Sequence, residues 1–558
     1  MHGFLRPSVR QRGDTAVLRS RGPTPLCEHH AARAEKLAAI GAWTKSDALR
    51  SHLSSPSWQS VAIILGALTI VRLAAAGRAG LAPDETYYWL WSQTPAIGYA
   101  DHPPMVAWWI WLSRHLLGDT PLGLRVTSIA SALVTSLAVF GAARQLLMSQ
   151  STAFRAALWF NAMILIGVGS IFITPDSPST MFWALTIWAL SVIRRTERGW
   201  LWLLVGLLAG LGCVSKYTNL FLGPGIIVWL LIDTRARRWL TSPWFWAGGL
   251  LAVLVFVPVI IWNAEHGWIS FDRQFGRLVG HTLSLRYLAE LFGSQAGLAN
   301  PIIAVFAALA ATATLVRARE TEPNPQILLF ATMAPILIYM IIHAFHDRVQ
   351  ANWLAPIYPQ VAILAAAHAE DRCKWQLGSR LAPAVVPLGC VISIVSLLYL
   401  AAPVRLPVPT PVDRLEGWEE FATDIERLRM QSGASWIATV NYDVNAELAF
   451  YEREHRPVRE IAERERYTSD PRDLRLTYQP ALLVMSEKQK ASARFDHCFA
   501  IVQPMSLVSR RSADGVIDRY IVERALIAPA DIFSEGCHDR SARFSLGLPE
   551  VGTSLKPL

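Results

Sequence analysis

Charge is scarce along this chain: Asp, Glu, Lys and Arg supply 17% of its 558 residues, while 52% are hydrophobic and the mean hydropathy is positive. That balance excludes an ordinary soluble globular protein and indicates one that lives in a membrane. There is no Gly-rich phosphate loop, no dinucleotide fingerprint and no internal repeat, so nothing points to nucleotide chemistry or a repeat array. The Arg-rich opening lacks the pattern of a secretory signal: short basic region, apolar core and small-residue cleavage site. Residues 1–57 therefore read as a disordered cytoplasmic extension, or an over-extended start. Much of the net charge of +9 falls in that stretch and in loops where it sets topology, so it does not imply a nucleic-acid partner.

What is abundant is apolar run length. Stretches of about 17 to 25 residues, enough to cross roughly 30 Å of hydrocarbon, recur from Val61 to Ala402 and then stop. They predict about eleven transmembrane helices centred near residues 68, 134, 164, 185, 207, 225, 252, 307, 335, 361 and 393. Every second connection is basic: Arg144 with Arg155, Arg194 to Arg198, Asp233 to Arg238, Arg317 with Arg319, and Glu370 to Arg380. Short basic connections stay inside, so the N-terminus is expected in the cytoplasm and the tail on the far side, the periplasm of a bacterial inner membrane. The expected organisation is 1–57, a transmembrane domain at 58–403 and a small periplasmic α/β domain at 404–558.

The opposite loops hold the unusual residues. LAPDETYYWLWSQTPAIGYADHPPM, Leu81 to Met105, follows directly on the first apolar run; TPDSP surrounds Asp176; VSKYTN spans Val214 to Asn219 in a tight turn. WNAEHGWISFDRQFGR covers Trp262 to Arg277 and HAFHDRVQANWLAPIYP covers His343 to Pro359. An Asp costs about 2.5 to 3.5 kcal/mol at a bilayer centre, so these acids belong at the outer boundary, facing a wet cavity. Residues 84–117 should form short interfacial helices, with Trp89, Trp91, Trp108, Trp109 and Trp111 as anchors and Pro103 and Pro104 dividing one helix from the next. Anchoring explains the aromatics, but it requires none of Asp84, Glu85, Asp101 or His102.

PDETYYW followed by DHPP, TPDSP, SKYT and RVQANW resembles the polyprenyl-phosphate-dependent glycosyltransferases of the GT-C superfamily. The likeness is greatest to the bacterial branch related to protein O-mannosyltransferases and to the ArnT-like enzymes that add aminoarabinose to lipid A. It extends over about Trp58 to Ala402. The resemblance implies that Asp84 is the catalytic base, and that Glu85, Tyr88, Asp101, His102 and Asp176 border the acceptor or sugar pocket. ArnT-like enzymes commonly carry Glu-Lys before Pro-Pro where this chain has Asp101 and His102, so no lysine is available there for phosphate. It also implies an inverting displacement: one carboxylate takes the acceptor proton, and positive charge receives the departing phosphate. Lys216, with Tyr217, and Arg348 are the expected phosphate-binding residues. Lys216 could instead snorkel from a helix end, and Arg348 could pair with Asp347.

Asp176 also has a simpler reading, as a helix N-cap. The residues point to no definite cofactor; the resemblance leaves a divalent ion near the phosphate open, with His343 and His346, one helical turn apart, as its weak candidate ligands. Expected partners are the lipid-linked donor, a glycolipid or glycan acceptor such as lipid A or core lipopolysaccharide, and the bilayer. A uronate sugar would want one more cation, from Arg273 or Arg277. Cys498 and Cys537, the two cysteines of the external tail, could form a disulfide in an oxidising periplasm. In that tail, Trp436 to Asp443, PALLVMS and DRYIVER read as strands, Val444 to Glu452 as a helix, and Arg453 to Tyr467 as a solvated surface. Two rival functions are a flippase of a lipid-linked substrate and a protein O-mannosyltransferase. Transporters place charges midway along broken helices and show paired repeats, unlike the one-sided acids here.

Overall fold

A computed structural model describes residues 58–537 apart from 277–282, 318–323, 371–375, 405–409, 453–455, 468–473, 493–494, 496–497, 513–514, 530 and 535. A helix covers each of the eleven expected centres. Fewer are long and apolar enough to cross a bilayer unaided. Among the described residues there are five: Gln59–Ala76, Pro121–Leu147, Pro243–Glu265, Ile327–Ala344 and Ala382–Ala401. Two bent pairs, broken after Ala162 and after Leu298, raise the number to seven. The difference from eleven arises where helices are short or broken. Lys216 adopts an extended backbone between Leu201–Ser215 and the 3-10 turn Tyr217–Phe221, which splits an apolar stretch in two.

Trp159, Trp183, Trp202 and Trp229 are fully buried between these helices. Small residues let other helix pairs close up: a Cβ on Gly206 would lie 2.0 Å from the Gly248 carbonyl oxygen. In lipid, where apolar surface alone does not drive association, such close backbone packing holds helices together.

The segment after the first apolar helix turns at Pro83 into the helix Pro83–Gln93, and a second helix runs over Met105–Leu117. The first ends ten residues before Pro103, so the proline pair starts the second helix without ending the first. The Trp residues here are not simple anchors either. Trp91 is buried and stacked on Tyr99 at 4.4 Å, and only Trp111 among the five is well exposed.

Beyond the last apolar helix the chain forms a five-stranded sheet in the order β2-β1-β3-β5-β4. Its strands are β1 (Trp436–Thr439), β2 (Val458–Glu460), β3 (Ala481–Ser486), β4 (Ile501–Ser512) and β5 (Gly515–Leu526). β1 runs parallel to β2 and β3, and β5 is antiparallel to β3 and β4. β1 stops at Thr439 because the Asn441 side chain accepts from the Asp443 and Val444 amides, which caps the helix Tyr442–Tyr451. The described part of Arg453 to Tyr467, residues 456–467, differs from its expected solvated surface. It supplies the edge strand β2, and Glu460, Arg464 and Tyr467 are buried. Cys498 and Cys537 are disulfide-bonded, with Cα atoms 5.7 Å apart. Helix Tyr442–Tyr451 lies against Pro83–Gln93 through Tyr442 on Tyr87 (ring centroids 5.2 Å) and Phe450 on Trp89 (5.1 Å), which brings the tail onto the loop that follows the first apolar helix.

Candidate active site

The first loop is held by one buried ion pair. Arg125, in the first turns of the long helix Pro121–Leu147, donates from Nε and Nη2 to both oxygens of Glu85, at 2.8 and 2.6 Å. Its remaining donors satisfy the carbonyls of Ala76, Ala79 and Gly80 at 2.6–3.0 Å. Glu85 also accepts from the backbone amides of Ala82 (2.9 Å) and Ile173 (3.0 Å). Both side chains are wholly inaccessible. Two charges taken out of water are tolerable only when every donor and acceptor is used in this way. As the third residue of its helix, Glu85 receives the Ala82 amide in capping-box fashion, with Pro83 fitting the first helical position. The neighbouring Asp84 is thereby fixed at the helix start.

Asp84 opens onto a cavity of about 590 Å³. Its Oδ1 accepts from Tyr442 Oη at 3.2 Å, a contact made by the C-terminal tail. Surrounding protein raises the Asp84 pKa, and the nearby Asp443 carboxylate adds to the rise, while the Tyr442 hydrogen bond and Arg414 oppose it. If Asp84 acts as a base, activity should fall with acid above the normal range for an aspartate. Tyr442→Phe removes a stabiliser of the anion and should move that acid limb to higher pH. Asp443→Asn removes a like charge and should move it lower. A pH profile of kcat/KM in which the two variants shift the same way would contradict this electrostatic account.

Three of the motifs, TPDSP, SKYT and RVQANW, meet at Asp176. Its Oδ1 receives Lys216 Nζ at 2.6 Å and its Oδ2 receives Asn352 Nδ2 at 2.6 Å. Asp176 therefore makes no capping bond at its own helix start, which departs from the simpler expectation. Lys216 is committed to this buried pair and does not line the cavity, whereas Asp176 and Asn352 do.

Asp101 forms a second cluster. It accepts from Tyr87 Oη (2.8 Å), Arg466 Nη1 (2.7 Å) and Arg273 Nη1 (2.9 Å), and Arg273 also pairs with Glu465 at 2.7 Å. Burial alone would raise the Asp101 pKa, but Arg466 and Arg273 outweigh it and hold the group below its usual range. Asp101 is thus an ionised latch between the first loop, the Ile269–Phe275 helix and the tail. Tyr88 is buried between the two clusters, its ring 6.2 Å from His102.

The other expected residues lie apart from the cavity wall. Tyr217 is buried, with its hydroxyl on Ser270 (2.8 Å) and Asn263 (3.1 Å). Arg348 is exposed and reaches Glu290 at 3.4 Å, not its neighbour Asp347, whose carboxylate takes the Arg348 amide instead. His343 is buried beside Trp353, and among the described residues no group of three His, Cys, Asp or Glu is placed to hold a metal. Arg277 lies outside the described residues. Sequence reasoning passed over Arg125, Arg414, Tyr442 and Arg466. Arg125 did carry a signal, a lone charge at the start of an apolar run.

Comparison with known proteins agrees with this architecture. Residues 101–262 match the family described as dolichyl-phosphate-mannose-protein mannosyltransferase. The chain is 26% identical over 374 residues to lipid A galacturonosyltransferase RgtD of Rhizobium johnstonii, covering 66% of this chain and 76% of that protein. It is 25% identical to an undecaprenyl phosphate-alpha-4-amino-4-deoxy-L-arabinose arabinosyl transferase of Sodalis glossinidius, covering 58% of this chain and 61% of that one. In fold it is similar to ArnT from Cupriavidus metallidurans bound to undecaprenyl phosphate, with a TM-score of 0.60 at 15% identity over 83% of this chain and 97% of that one. The motifs and these likenesses together support a GT-C superfamily polyprenyl-phosphate-dependent glycosyltransferase.

Proposed function

We propose that the protein transfers a sugar, with inversion, from a polyprenyl phosphate to lipid A or a related envelope glycan on the periplasmic face of a bacterial inner membrane. The observation that carries this reading is a largely apolar cavity lined by the carboxylate Asp84, whose helix start is fixed by the Glu85–Arg125 pair. Such a cavity suits a lipid-borne substrate, and the carboxylate suits an acceptor hydroxyl. The acceptor oxygen bonds to the anomeric carbon as the carbon–phosphate oxygen bond breaks. The electron pair leaves with the phosphate, and Asp84 takes the hydroxyl proton. The RgtD likeness covers more of this chain than the arabinosyl transferase likeness, which supports a galacturonosyl donor over an aminoarabinosyl one. In this reading the eleven helices at the expected centres are eleven spans, the N-terminus is cytoplasmic, and 404–558 is periplasmic.

The test uses the full chain in proteoliposomes with lipid A and one of three donors: a polyprenyl-phosphate galacturonate, aminoarabinose or neutral hexose. Lipid A should gain the mass of one galacturonosyl residue. Hexose appearing on added envelope protein, with lipid A unchanged, would favour the O-mannosyltransferase reading. Sugar lipid crossing the bilayer with no product from any donor would favour a flippase.

A further inference from the structure

The phosphate and any acidic sugar need a cation, and the expected ones are committed or distant. Lys216 is closed onto Asp176, Arg348 lies off the cavity, Arg273 is held by Asp101 and Glu465, and Arg125 is used up by Glu85. Among the described residues lining the cavity that holds Asp84, Arg414 is the one cationic side chain.

Its backbone is firmly built. Arg414 ends the 3-10 turn Pro411–Arg414, where Thr410 and Asp413 form a capping box. Arg510 clamps the same turn by donating to the carbonyls of Asp413 (2.8 Å) and Glu416 (2.6 Å). The guanidinium, by contrast, is barely engaged. It is 64% exposed, and its ion pair with Asp443 is long, at 3.4 Å. Arg414 also lines a smaller polar cavity of about 190 Å³, shared with Pro83, Asn441, Asp443 and Lys488, so it stands at the seam between the apolar cavity and a hydrophilic recess. A fixed backbone with a lightly held guanidinium fork beside the reacting carboxylate is the arrangement that recognises a planar or tetrahedral oxyanion.

We infer that Arg414 receives an oxyanion of the substrate at this seam: the carboxylate of a uronosyl donor, or the phosphate that carries the sugar. This rests on the transferase reading above. Asp443 is the group displaced, and the adjoining recess accommodates the polar sugar face.

The experiment compares native protein with Arg414→Met and Arg414→Lys. Transfer to lipid A is measured from polyprenyl-phosphate galacturonate and from the matched neutral hexose, and binding of polyprenyl phosphate alone and of both donors is read by Trp fluorescence. With rates compared on the alkaline side of the acid limb, where losing the Arg414 charge does not change Asp84 ionisation, a loss of about 10- to 100-fold for Arg414→Met confined to the uronate, through KM, with the neutral donor unchanged, assigns the carboxylate. An equal loss for both donors, accompanied by weaker binding of polyprenyl phosphate, assigns the phosphate. Arg414→Lys should recover only part, since it keeps the charge without the fork. Unchanged binding and transfer in Arg414→Met would overturn the assignment while leaving the transferase reading intact. If native protein transfers no sugar, the transferase reading fails, and the binding measurements alone decide Arg414. Because its side chain has one long contact, Arg414→Met should melt within a few degrees of native; a large fall in melting temperature with equal loss for every ligand also overturns the proposal.

Discussion

Asp84→Asn should abolish most sugar transfer, by about 10²-fold or more in kcat, because it keeps the size of the side chain and removes the proton acceptor. Folding should be little changed: among the described residues the Asp84 carboxylate's hydrogen-bond partner is the Tyr442 hydroxyl, from which an amide oxygen can also accept. The measurement is mass spectrometry of lipid A from membranes carrying either form at equal abundance, backed by initial rates in proteoliposomes. A purely structural role for Asp84 would lower melting temperature and protein yield together with activity. Base catalysis lowers the rate alone, and products at native rates from Asp84→Asn would remove the residue from the mechanism.

Arg125→Met should have the other large effect, and its signature differs. It strands the Glu85 carboxylate where both side chains are fully enclosed, and breaking a buried pair in this way costs about 3–5 kcal/mol. It also frees three carbonyls, at Ala76, Ala79 and Gly80, that anchor the turn after the first apolar helix. Melting temperature and activity should therefore fall together. Adding Glu85→Gln removes the stranded charge and should restore much of the stability. Activity should stay low, since the loop is no longer pinned to Pro121–Leu147 and Asp84 loses its fixed place. Melting curves of both single variants and the double variant form the cycle, and simple additivity would show that the two side chains do not act as a pair.

The parts of the site legible in the sequence are those where composition alone creates a conflict. Asp84 and Glu85 stood out because carboxylates follow an apolar run, and TPDSP, SKYT and RVQANW stood out as motifs. What the motifs could not convey was their joining: Asp176, Lys216 and Asn352 are far apart in sequence, so their closure into one pair of contacts depends on helix packing. That packing joins Lys216, an expected phosphate ligand, to Asp176. Arg414, Tyr442 and Arg466 come from stretches of ordinary loop or tail composition, where no periodicity sets them apart. The helices themselves were visible as apolar runs with correct centres, but run length does not reveal a break such as the extended backbone at Lys216. Charge density was equally misleading over residues 456–467, where Arg466 is drawn inward by Asp101 and Glu460 accepts from the backbone amides of Ala462 and Glu463.

The tail's hold on the first loop bears on how the enzyme comes into being. Asp84 meets Tyr442 across 358 residues of chain, and Asp101 meets Arg466 across 365. During synthesis the loop emerges early and its two partners arrive near the end, so a growing chain already threaded into the bilayer still has an unfinished centre. On the proposed mechanism, sugar transfer should begin only once the tail has folded onto the first loop, and a chain terminated before Tyr442 should be an inert membrane protein in place of an unregulated transferase.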